Sequence, residues 1–212
     1  MIGEIDDAIR ALVRRSEGIA ADIEVALDAP TKEWAARRNA PTVDLFLYDI
    51  REDTRRREHG FTEVRDEHGV VTSRIPAPRF FKLSYLVTAW TQRPDDEHRL
   101  LDALLRCFLQ YDAVPDSFVV DTLAETGLPC SINVALPPPE DRAFADVWSS
   151  LGGELKPSLD VVITAPMTRG ISYAAGPPVD RVETRISAES IGATDQVGTR
   201  PRVGTGHARS GS

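Results

Sequence analysis

PRFFKLSYLVTAWTQRPDDEHRLLDALLRCFL, residues 78–109, is the stretch that decides the fold. Phe81, Leu83, Tyr85, Val87 and Ala89 alternate along its first half, the pattern of a strand with one face against a core. The opposite face mixes Phe80, Leu86 and Trp90 with Lys82, Ser84 and Thr88. In the second half Leu100, Leu101, Leu104, Leu105, Phe108 and Leu109 recur at spacings of one, three and four, which predicts an amphipathic helix. Asp95 or Asp96 is placed to cap that helix, and Glu97 favours its first turn. Nothing in the stretch is arranged for chemistry. Its residues specify packing.

The same reading extends to both sides. Ile5, Ile9, Leu12 and Val13 share one side of a helix over residues 3–16, which Gly18 ends. Ile23, Val25 and Leu27 alternate as a half-buried strand. Residues 34–39 are a short helix or a loop that Pro41 stops. VDLFLYDI, residues 43–50, is apolar on both faces and predicts a strand covered on both sides. Residues 61–66 and 70–75 flank Glu67, His68 and Gly69 and predict a β-hairpin. A short strand is expected over residues 117–120, and another where Ile132, Val134 and Leu136 alternate. Phe144, Val147, Trp148 and Leu151 mark a helix over residues 140–151. Leu159, Val161, Ile163 and Ala165 form a last strand. After Met167 the chain turns rich in Gly, Ser, Thr and Pro, with Ile171, Tyr173 and Val179 available for one edge strand. Together these predict an α+β fold: a mixed, mostly antiparallel sheet flanked by amphipathic helices. One domain spans residues 1–167. A polar tail, 168–212, is expected to be disordered in part or whole until assembled, wholly so from Ile191.

Charge narrows the function. The 212 residues carry a formal charge of −8. From Met167 onward six Arg meet four acids, so the preceding body carries 19 basic and 29 acidic residues. An acidic body lacks the counterion-release energy that holds proteins on phosphate polymers, which argues against a nucleic-acid partner. No apolar run is long enough for a membrane span, and the N-terminus lacks the charged and apolar regions of a secretory signal. The expected compartment is the cytoplasm. Cys107 and Cys130 read as small core residues rather than a disulfide.

Catalytic constellations are weak throughout. His59, His68, His98 and His207 have no metal-ligand spacing. His98 and Cys107 are too far apart on one helix, about 13 Å, to form an ion pair. Asp95, Asp96 and Glu97 fit a helix start better than a carboxylate pair. No phosphate loop or nucleophile elbow occurs. No catalytic residue, cofactor or metal is therefore expected. The candidate interface residues are Arg55, Arg56 and Arg57, a cationic cluster suited to a carboxylate-rich partner, and Trp90, an aromatic ring at a strand end. A solvated loop is the plainer reading of the arginines, and Trp34, Trp90 and Trp148 are more often core than interface.

Several phrases, taken in order, resemble the tail-terminator, or cap, family of phage-tail-like contractile injection systems. They are IRALVRR, PTVDLFLYDIRED, RFFKLSYLVTAWTQRPDDEHRLLDALLRCF, DRAFADVWSSLGG and LKPSLDVVITAPM, and they span residues 2–167. The chain departs from the family at Asp53, where Asn is frequent, and at PAPRFF, where Pro-Pro-Leu is usual. The resemblance implies a homo-hexameric ring seated on the last layer of the inner tube, in contact with the last layer of the contractile sheath. It carries over no catalytic residue. The alternatives are a small cytoplasmic α+β enzyme with a hidden pocket and a regulatory domain that binds a peptide or small ligand.

Overall fold

Strand β5 (Arg79–Trp90) is the spine of the molecule. The computed structural model describes residues 1–137 and 144–177. Before β5 come α1 (Ile2–Arg15), β1 (Glu24–Ala26), α2 (Lys32–Ala36), β2 (Thr42–Glu52), β3 (Phe61–Arg65) and β4 (Val71–Pro76). After it come α3 (Pro94–Leu109), α4 (Asp121–Thr126), β6 (Ser131–Val134), α5 (Phe144–Ser150), β7 (Leu159–Met167) and β8 (Tyr173–Ala174). Two sheets result. One has the order β1-β2-β5-β7-β6, the other β3-β4-β8. All pairings are antiparallel except β1 with β2. The α+β class and the mostly antiparallel sheet predicted from the sequence are what is observed.

The larger sheet has two unlike faces. Val43 and Leu45 of β2, Leu83, Tyr85, Val87 and Ala89 of β5, and Val161, Ile163 and Ala165 of β7 form the apolar one. Helices α1 and α3 cover it with Ile5, Ile9, Leu12, Val13, Leu100, Leu104 and Phe108. Each such side chain contributes roughly 1.5–3 kcal/mol on leaving water. The Tyr85 hydroxyl, deep in this layer, donates to Asp6 Oδ1 of α1 at 2.7 Å. The opposite face holds the buried polar residues Thr42, Asp44, Ser84, Thr88, Asp160 and Thr164.

Four expectations are corrected. First, β2 is covered on both sides only at its start. Thr42 to Leu45 are buried, whereas Ile50 is exposed. The short β1 reaches only as far as Asp44, so beyond it β2 is paired to β5 on one side and no strand of the described residues borders the other. A bulge at Tyr48 shifts the register there, and its hydroxyl donates to Asp160 at 2.9 Å. Second, residues 117–120 form no strand. A 3-10 turn (Asp116–Phe118) leads into α4 instead. Helix α4 has no side-chain cap of its own at its N-terminus. The Glu4 carboxylate of α1 accepts from the Leu123 amide at 3.0 Å and the Thr122 hydroxyl at 2.6 Å. Third, the N-cap of α3 is Arg93, followed by Pro94, which suits a first helical position. Asp95 and Asp96 lie inside the first turn. Fourth, Leu136 lies beyond β6, which ends at Val134, and is exposed.

The predicted hairpin is present as β3–β4. The Asp66 carboxylate accepts from the His68 and Val70 amides, each at 2.9 Å, and Gly69 supplies the φ of 78° that the turn requires. The expected edge strand is β8, paired through Tyr173 and Ala174 to β4. Part of the helix expected over residues 140–151 lies outside the described residues, which show α5 from Phe144. Val179 and the segment from Ile191 also lie outside them.

Candidate interface surfaces

The arginine cluster forms where β2 ends and the chain leaves the large sheet. Thr54, Arg55 and Arg56 make a 3-10 turn, so the three side chains diverge. Arg57 Nε donates to Glu52 Oε1 at 2.9 Å, and Arg79 approaches the same carboxylate at 3.6 Å. The Arg57 hydrogen bond is the main cause holding the Glu52 carboxyl below its ordinary range. The Arg56 guanidinium stacks 3.6 Å over the Phe80 ring. Arg55 is exposed and has no ion pair among the described residues. The cluster therefore separates into two anchored side chains and one exposed arginine.

Trp90 lies at the other end of β5, roughly 33 Å away along the strand at 3.3 Å per residue. The structure does not bring it to the arginines. It is half-buried between Trp34 of α2, at 5.4 Å between ring centroids, and Trp148 of α5, at 6.5 Å. Its indole donates to Thr88 Oγ1 at 2.8 Å. Lys156 Nζ sits 4.0 Å over the ring and donates to the Ala89 carbonyl and to Glu97, both at 2.7 Å. Arg38 stacks 4.2 Å over Trp34 and pairs with Glu24 at 2.7 Å. Trp34 and Trp148 are core, as the plainer reading had it. Trp90 also lines a cleft of about 630 Å³ with Ile23, Arg38, Arg93, Asp96 and Leu100.

Sequence reasoning missed Asp44. It is fully buried, and neither carboxylate oxygen has a hydrogen-bond partner of good geometry. Burial, then the charge of Asp28, pushes its carboxyl up to about 8, against the opposing pull of Arg38 and of nearby backbone amides. The signal was an aspartate inside the apolar run VDLFLYDI. Lys156 carried no such signal, because its partners lie far away in sequence.

A third surface is the sheet β3-β4-β8. Every residue of β3 is exposed. Phe61 and Tyr173, at 59% and 49% exposure, stack edge to face at 5.7 Å on one side, with Glu63 and Arg74. Val64 and Ile75 are exposed on the other side. Among the described residues no group of three or more His, Cys, Asp or Glu is placed to hold a metal. No described helix is long and apolar enough to cross a membrane. Cys107 and Cys130 are buried and free, and burial pushes the Cys130 thiol up to about 11, away from the reactive thiolate.

The comparison with known families bears on the fold that carries these surfaces. The family model for the Pvc16 N-terminal domain matches residues 4–181. The chain belongs to that family. Its fold is similar to that of the sheath/tube terminator of the extracellular contractile injection system PVC in its extended state. There the TM-score is 0.67 at 21% identity, covering 91% of this chain and 65% of that one. It is also similar to the tube-terminating cap of the anti-feeding prophage, with a TM-score of 0.61 at 19% identity, covering 86% of this chain and 60% of that one. The chain thus spans somewhat under two-thirds of the length of either solved structure. No curated protein matches it significantly in sequence. The resemblance to tail terminators read from the sequence is borne out. The Pvc16 N-terminal domain match takes in both sheets, the tryptophan cluster and the arginine turn.

Proposed function

We propose that this Pvc16-type domain is a structural cap that ends the inner tube of a contractile injection system and anchors the last sheath layer. The observation that carries the reading is the family match over residues 4–181, together with a fold shared with a sheath/tube terminator and a tube-terminating cap. The domain works as a homo-hexameric ring within an assembled particle and performs no catalysis. A terminator resembles the incoming tube ring on one side and offers a surface that does not propagate on the other. Contacts repeated by ring symmetry sum to tight capping even when each is weak. Arg55, exposed on its turn, and Trp90, half-open beside the cleft, are the side chains to contact tube or sheath. Arg56 and Arg57 hold the turn that presents Arg55. The polar tail after Met167 is a further sheath contact.

Deleting the gene and imaging the particles by electron microscopy tests this. Tubes of abnormal length or uncapped, unstable sheaths are expected. Normal closed particles lacking the chain would overturn it.

A further inference from the structure

The excursion through residues 54–78 is not needed to join the strands on either side of it. β2 and β5 already pair to their tips, with Glu52 opposite Phe81 and the Asp53 amide donating to the Phe80 carbonyl at 2.8 Å. A two-residue turn would close that hairpin. The chain instead builds β3 and β4, which add no side chain to the apolar core. A three-stranded sheet with apolar residues open to water on both faces is stabilised poorly by itself. Its exposed residues Phe61, Val64, Ile75 and Tyr173 are the kind that a partner covers.

The two outer edges of this sheet, β3 and β8, border no further strand among the described residues. They differ in charge. From Glu58 to Glu67 the carboxylates of Glu58, Glu63, Asp66 and Glu67 outnumber Arg65, which pairs with Glu63, and Arg74 of β4, 3.9 Å from the same carboxylate. From Met167 to Pro177 the only charged residue is Arg169, and it has no ion pair among the described residues. Two β3 edges brought together would set carboxylates against carboxylates, which is unfavourable. A β3 edge beside a β8 edge matches opposite signs. It also leaves one β3 edge and one β8 edge at the ends of the pair, so the contact repeats head to tail and closes into a ring when the rotation permits.

We propose that the β3 edge of one copy pairs with the β8 edge of the next, so that the β3-β4-β8 sheets join into the seam of the ring. This rests on the reading of the domain as a ring-forming cap. A seam built on so short a strand as β8 is weak alone, so the ring closes on the tube, where the copies are already held side by side.

Disulfide trapping in assembled particles tests the seam. Thr62, Val64 and Ala174 project from one face of the sheet by its register. Thr62→Cys or Val64→Cys is combined with Ala174→Cys, and the particles are oxidised. Within one copy β3 and β8 are separated by β4, about 9.6 Å, too far for a disulfide. The native Cys107 and Cys130 are buried. The expected result is a ladder of covalent multimers from the doubly substituted chains and none from the single Ala174→Cys chain. Dimers from Thr62→Cys or Val64→Cys alone would show like edges meeting and overturn the head-to-tail seam. Particles that contain the chain and are normally capped but yield no multimers would overturn the seam and leave the capping function intact. Particles that never contain the chain would remove the capping reading, and the seam with it.

Discussion

Asp44 is a carboxyl in a site that favours its neutral form. In the unfolded chain it titrates near 3.9, whereas in the fold burial and Asp28 push it up to about 8. Between those values the folded state binds a proton that the unfolded state has released. Stability contributed by Asp44 is therefore present at low pH, falls as pH rises from about 4 to about 8, and is flat above that. Thermal unfolding of the parent and Asp44→Asn at pH 5 and pH 9 should show the parent losing more, with the variant the more stable at pH 9 by roughly a few kcal/mol. Equal losses would contradict this account. Lys156 is the opposite case, a largely buried cation with every demand met. Lys156→Ala leaves the Glu97 carboxylate and the Ala89 carbonyl without the ammonium. It should cost about 3–5 kcal/mol in denaturant unfolding. A loss below about 1 kcal/mol would place Lys156 with ordinary surface ion pairs.

Elements differ in how much of themselves they state locally. Strand β5 and helix α3 were legible because their apolar periods are long and unbroken and their partners are generic. Helix α4 was not, since its capping group is Glu4, at the far end of the chain in sequence. The hairpin β3–β4 was legible from its turn residues, but nothing local said that it would stand clear of the core. Replacing residues 54–78 with a short Gly-rich turn should therefore keep cooperative unfolding and shift the melting temperature by only a few degrees, because β2 and β5 retain their register. Collapse of the fold would show that the hairpin supports the core. In hydrogen exchange on the isolated chain, amides of β3 and β4 should exchange much faster than those of β5, which is paired on both sides. Equal protection would mean that the small sheet is as stable as the spine.

For the whole molecule, stability depends on one layer in which residues from both ends of the described chain meet. Ile5, Ile9 and Val13 of α1 are fully buried against the face to which Val161 and Ile163 of β7 belong. Removing α1 should abolish cooperative unfolding and near-UV circular dichroism, in contrast to removal of the hairpin. A retained sharp transition would mean that α3 alone covers the sheet. The sequence by itself determined the α+β class, the order of the long elements, the two-faced spine and the family, because periodicity and turn chemistry are local and each element carries its own. It also singled out Arg55, Arg56, Arg57 and Trp90, but could not show that β5 holds them at opposite ends or that Arg56 and Arg57 are anchored. Only the tertiary structure decided the strand order, the buried carboxyl at Asp44, the capping of α4 from α1 and the open sheet beside the core. Each of these depends on groups distant in sequence, and the free energy of burying or pairing them exists only once the chain has brought them together.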